Sequence, residues 1–190
     1  MSERKRQRLR RGGTGREATF DGSRGFGARI AALGASLRRS GGVATGVFAA
    51  GALAALLLVV TEFLTVASVN VPGGSCEVIN DSNPSLADRC VLSGFERHGG
   101  AFLLLAALVL AMALGASVGR SRPAAMALVA VGVVVLAWAL LVDLPQTHEA
   151  GVIGRDFEGA GGKAGPGLFT EILAGLLTVG AGAARLWRPD

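Results

Sequence analysis

The sequence predicts an all-α integral membrane protein, an antiparallel four-helix bundle with both termini in the cytoplasm. Three observations predict it. Apolar residues fall in four unbroken blocks rather than at the spacing of half-buried helices or strands. Basic residues crowd onto the segments that alternate connections place on one side. The number of blocks is even, so the two ends share a side.

Residues 1–42 form a basic tail. Residues 1–25 are polar and rich in Arg and Gly, a composition that predicts disorder. Phe26, Ile30, Leu33 and Leu37 recur at i, i+4, i+7 and i+11, one face of a helix. The stretch 26–39 reads equally as a short amphipathic helix on the inner leaflet or as a basic linker.

The membrane domain covers residues 43–187, with blocks near 43–69, 100–118, 124–142 and 168–186. About 20 apolar residues cross roughly 30 Å of hydrocarbon. The last three blocks fit that length, and the longer first is expected to tilt or project. It is also too long for the apolar part of a signal peptide, about 7–15 residues, so it reads as a retained span. Residues 188–190 are the cytoplasmic end.

Of the 19 Lys and Arg, eleven precede the first block, Arg120 and Arg122 lie between blocks two and three, and Arg185 and Arg188 end the fourth. Only Arg89, Arg97, Arg155 and Lys163 fall on the other side. Positive charge marks the cytoplasmic face, so the first and third connections face outward from a plasma (inner) membrane. A formal net charge of +5 raises nucleic acid as a partner. No aromatics interleave the basic run and no nucleic-acid-binding fold fits the tail, so anionic lipid head groups are the partner expected there.

The outer connections hold turn formers and the only two cysteines, Cys76 and Cys90. Their location on the oxidising side predicts a disulfide, restraining the loop by about 3 kcal/mol in the chain-entropy account. The spacing is not C-x-x-C, and a zinc site would need two more ligands that the positions of His98 and His148 do not recommend. No metal or cofactor is assigned. Pro123 suits the first turn of the third span after a short connection. The stretch Gly159–Gly167 is mostly Gly and Ala and is expected to be mobile. Trp138 and Trp187 read as interfacial anchors.

Three acids stand at membrane depth toward the outer side: Glu62 in the first block, Asp143 closing the third, and Glu171 opening the fourth. Glu62 shares a helix face with Ala55 and Gly51, and Glu171 with Gly175, Thr178 and Gly182. Small residues allow helices to approach closely in lipid. Gly115 and Gly119 add a G-x-x-x-G pair. The glutamates read first as structural pins, bonded to Thr61, Thr65, Thr170, Arg97 or His98. The competing reading is a proton or cation site at Glu62 and Glu171.

In topology the chain resembles tetraspan proteins such as claudins, without the Trp that precedes their cysteine pair. It is more similar to small four-helix membrane proteins of high-GC bacteria, through Asp143-Leu144-Pro145 with His148, and Pro166-Gly167 before Glu171. That resemblance implies a fold and no activity. Catalytic and phosphate-binding motifs are missing, so no enzyme is expected. The expected role is structural or interactive: an accessory subunit contacting other membrane proteins or a second copy. The alternative is a small transporter.

Overall fold

The computed structural model describes residues 31, 34–35, 41–71, 90–151 and 153–187. The expected tail helix lies almost wholly outside them; Ala31, Gly34 and Ala35 are helical. Cys76 is also outside the described residues.

The chain is mostly helical, and the long helices follow the apolar blocks. They are α1 (Gly41–Phe63), α3 (Ala101–Ser117), α4 (Arg122–Trp138) and α7 (Pro166–Trp187). Short helices α2 (Gly94–His98), α5 (Leu144–Gln146) and α6 (Ile153–Asp156) lie in the connections. A π-helical turn, Ala139–Asp143, joins α4 to α5. Three helices are long and apolar enough to cross a membrane: Gly42–Phe63, Arg122–Gln146 and Pro166–Trp187. The fourth apolar helix, Ala101–Ser117, has 17 residues. Helices α1, α3, α4 and α7 pack in a ring in that order, each against its two neighbours.

The interior of the ring is apolar and filled. Leu58, Val109, Leu128, Val135 and Ala174 are completely or almost completely buried in one continuous core. The outside is apolar too: Leu56, Leu104, Val134, Leu141, Phe169 and Leu176 are exposed. In water such an exterior would be costly, at about 25 cal/mol for each Å². In lipid it is the expected surface.

Helix contacts follow small residues. A Cβ on Gly132 would come within 2.8 Å of the Val179 backbone nitrogen and 2.9 Å of the Gly175 carbonyl oxygen. One on Gly182 would meet the Ala125 carbonyl oxygen at 2.7 Å. Helices α4 and α7 are therefore in near-backbone contact. The faces that carry Glu62 and Glu171 are the packed ones, since Gly51, Ala55, Gly175, Thr178 and Gly182 are all buried.

Two expectations need correction. The first apolar block does not remain helical to residue 69. Helix α1 ends at Phe63, and β1 (Thr65–Asn70) follows. An unbroken apolar run carries no periodicity to separate a helix from a buried strand, and β-branched Thr65, Val66 and Val69 favour the strand. The fold is thus helical with a small sheet rather than all-α. Its strand order is β2-β1-β3, with β2 at Val91–Ser93 and β3 at Gly161–Ala164, both antiparallel to β1.

The second correction concerns the Gly-rich stretch. Gly161–Ala164 is paired, with Ala67 opposite Ala164 and Asn70 opposite Gly161. A Cβ on Gly162 would collide with the Thr147 carbonyl oxygen, and one on Gly165 with that of Thr65. Here glycine permits backbone to lie on backbone, which composition alone does not distinguish from a flexible linker. Val66, Ala139 and Leu168 then seal the sheet onto the helices.

The close α4–α7 contact sets an expected outcome. Replacing Gly132 by Val should destabilise the protein by about 1–3 kcal/mol, because backbone must move to admit the side chain. Gly46→Ala should be neutral or slightly stabilising, since nothing lies within 4 Å of its added methyl. Thermal unfolding in detergent, followed by circular dichroism, separates the two. Equal midpoints would contradict the close crossing.

Candidate functional site

Thr61, Glu62, Asp143 and Glu171, all buried, gather where α1 ends, α3 begins, α4 ends and α7 begins, whereas buried Ser117 and Thr178 lie elsewhere along the helices. This end lies beneath the sheet and away from Arg120, Arg122 and Arg185. At the opposite end Arg185 ties α7 to α3, its Nε donating to the Ala116 carbonyl at 3.1 Å.

Helix α2 is short and needs its caps. The Ser93 hydroxyl accepts from the Glu96 N–H at 3.3 Å, and the Glu96 carboxylate accepts from the Ser93 N–H at 2.9 Å. That backbone bond, then the one from the Ser93 hydroxyl, holds the Glu96 carboxyl below its ordinary range. At the other end Gly99 and Gly100 take positive φ of 59° and 83°, turning the chain directly into α3. Between these caps stand Arg97 and His98.

Both reach Asp143. Arg97 Nε donates to Asp143 Oδ1 at 2.8 Å, and His98 Nε2 lies 3.0 Å from Asp143 Oδ2. The Asp143 side chain is fully buried, and His98 is nearly so, at 1% exposure. The His98 ring stacks on Phe102 with centroids 4.1 Å apart. Asp143 sits on the π-helical turn, where the Leu144 N–H donates to the Ala139 carbonyl. Pro145 accounts for that turn. Its ring would clash with the carbonyl one turn earlier, and the wider turn relieves the crowding.

Glu62 and Glu171 have different surroundings. Glu62 is buried at the end of α1, and its Oε1 accepts from the Phe102 N–H at 2.8 Å. Phe102 is in the first turn of α3, whose Gly100 N-cap supplies no side-chain bond. The carboxylate therefore caps a neighbouring helix at its positive end. Glu171 is completely buried on α7, yet neither of its carboxyl oxygens has a hydrogen-bond partner among the described residues. Ligand atoms of Glu171, Asp143 and His98 all lie within 4.8 Å of one another.

Of the expected pins, Thr61 and Thr170 bond to each other at 2.8 Å, joining α1 to α7. Each is also close to a carbonyl of its own helix, Leu57 and Gly167 respectively, both at 2.8 Å. Thr65 stands in β1 opposite Ser93. Cys90 is buried beside β1, its carbonyl accepting from the Val69 N–H at 2.9 Å. His148 is exposed after α5. A cavity of about 170 Å³, lined by Val66, Ser68, Cys90, Arg97, Asp143 and Gln146 among others, leads to the Arg97–Asp143 pair from the sheet side. Sequence reading named Arg97 and His98 as partners for the glutamates but did not join them to Asp143. The available signal was an Arg-His pair after a Ser-x-x-Glu capping box.

Comparison with known protein families, with characterised proteins and with solved structures returned no match.

Asp143→Ala leaves Arg97 and His98 without their acceptor. Expected is a loss of about 2–3 kcal/mol, less than for a fully buried pair because Arg97 keeps 23% exposure. The exposed Glu149→Ala serves as a near-neutral comparison. Chemical unfolding in detergent measures both, and equal stability would remove Asp143 from its central position.

Proposed function

We propose that the chain is a four-span plasma-membrane protein with cytoplasmic termini, acting as a structural or interaction subunit. Its outer end is the sheet-covered polar cluster. The observation that carries this reading is the filled apolar interior: Leu58, Val109, Leu128 and Val135 occupy the centre of the ring. A bundle of this kind supplies an apolar exterior for lipid or for another membrane protein. Helix α3 rises about 26 Å at 1.5 Å per residue, and Val118, still in helical conformation, extends it toward the width of the hydrocarbon layer. The basic excess on the tail, Arg120, Arg122, Arg185 and Arg188 supports the orientation and contact with anionic lipid.

The same orientation places Cys76 and Cys90 outside, where a disulfide closes the outer loop. Cell-impermeant thiol labelling of intact cells should modify neither cysteine without reductant and should modify the protein after reduction. Labelling before reduction would overturn the bond. Failure of both cysteines to label after reduction in intact cells, with labelling restored by opening the membrane without denaturant, would overturn the orientation.

A second reading rests on Glu171, whose buried carboxyl oxygens lack partners. A transporter would move a proton or cation through Glu62 and Glu171. In proteoliposomes the structural reading expects cation and proton flux at the level of empty vesicles. Flux well above that level, abolished by Glu171→Gln, would replace it with the transport reading.

A further inference from the structure

We infer that His98, Asp143 and Glu171 form a binding site for one divalent transition-metal ion of the Zn²⁺ class at the outer end of the helices. This goes beyond the structural role and does not depend on the number of spans.

The geometry comes from three separate elements. The end of α2 supplies a ring nitrogen of His98, the π-helical turn supplies an Asp143 oxygen, and the first turns of α7 supply a Glu171 oxygen. These three atoms lie within 4.8 Å of one another. Zn²⁺ bonds to nitrogen and oxygen ligands are about 2.0–2.2 Å, so closing on one ion asks for contraction by about an ångström. Asp143 can contribute Oδ2 while Oδ1 remains held by Arg97. Stacking on Phe102 restricts the imidazole plane.

Two observations point to an ion rather than to a merely polar core. The first is Glu171, fully buried with both oxygens unpartnered and placed against the other two ligands. The carboxylate nearest to it is Asp143, so the two acids face each other with no donor between them. The second is charge. Glu62, Asp143 and Glu171 carry three negative charges in their ionised forms, and Arg97 carries one positive charge. One divalent cation brings that group to neutrality with His98 neutral, as a metal ligand must be. Uncompensated charge at such depth is costly, and an ion removes it.

The donor set selects the class of ion. One imidazole nitrogen with two carboxylates suits Zn²⁺ and its neighbours better than Mg²⁺ or Ca²⁺, which prefer oxygen alone. Three protein ligands leave a position for water, and the cavity that reaches Asp143 supplies the approach.

The test uses the tag-free full chain in detergent, stripped with EDTA and dialysed against Zn²⁺ or Mg²⁺. Elemental analysis should find one Zn²⁺ per chain and no retained Mg²⁺. Glu171→Gln and His98→Gln should each weaken Zn²⁺ binding at least 100-fold in titration calorimetry, with helix content unchanged by circular dichroism. His148→Ala should bind as the parent does, which separates the site from a surface histidine. Co²⁺ loading of the parent protein should give visible absorption bands of a low-symmetry nitrogen and oxygen site, a readout that needs no variant. Absence of stoichiometric Zn²⁺, parental affinity in both ligand variants, or a Co²⁺ spectrum of the hydrated ion would each overturn the proposal. None of these outcomes depends on flux or on orientation.

Discussion

The fold depends on one buried carboxylate. Asp143 accepts from Arg97 with one oxygen and faces His98 with the other, at 2.8 Å and 3.0 Å. This clamp fixes a five-residue helix, too short to be stable alone, against the end of α4. Once α2 is fixed, the Gly99-Gly100 turn sets where α3 begins. The start of α3 then meets Glu62, which satisfies a backbone N–H that α3 cannot satisfy itself. Each step positions the next, and the chain of contacts joins α1, α2, α3 and α4 at one end. Pairing is essential to it, because a lone carboxylate at that depth would be strongly unfavourable.

Along the helices a different constraint acts. With lipid outside, apolar burial gives little preference for one helix face over another, so close packing decides. Gly132, Gly175 and Gly182 let α4 and α7 approach to backbone contact, and Gly51 faces Ala113 between α1 and α3. Large side chains, by contrast, point outward along the same helices, as Leu56, Leu104 and Leu176 do. A water-soluble bundle shares the apolar centre but covers it with polar residues, whereas here the outer face is apolar as well.

The three membrane-level acids have distinct chemistry despite similar positions in the sequence. Asp143 is doubly paired, Glu62 caps a helix with one oxygen, and Glu171 has neither kind of partner. Pairing explains the burial of Asp143, and capping explains that of Glu62 through Oε1, its Oε2 having no hydrogen-bond partner among the described residues. Neither explains that of Glu171, and for that reason it carries the functional interest of the site. The sheet above it, with β1 at its centre, covers the cluster and leaves a cavity that reaches Asp143.

The sequence by itself determined the helical blocks, because lipid demands long apolar runs and those are visible without periodicity. It also marked Glu62, Asp143 and Glu171, since an acid in an apolar run is conspicuous wherever the helices pack. Small residues on the same faces made those faces legible as contacts. The end of the first block was not legible, because an apolar run reads alike as helix or strand, and β1 took its last residues. The Gly-rich segment was misleading for a related reason: composition records the absent Cβ but not the backbone that fills its place. Only the tertiary structure decided that Arg97 and His98 belong to Asp143, 46 and 45 residues away. Pairing across that distance is fixed by how α2 is capped and where α4 ends, and no local pattern encodes it. The same is true of the difference between Glu62 and Glu171, which lies entirely in what each carboxylate meets.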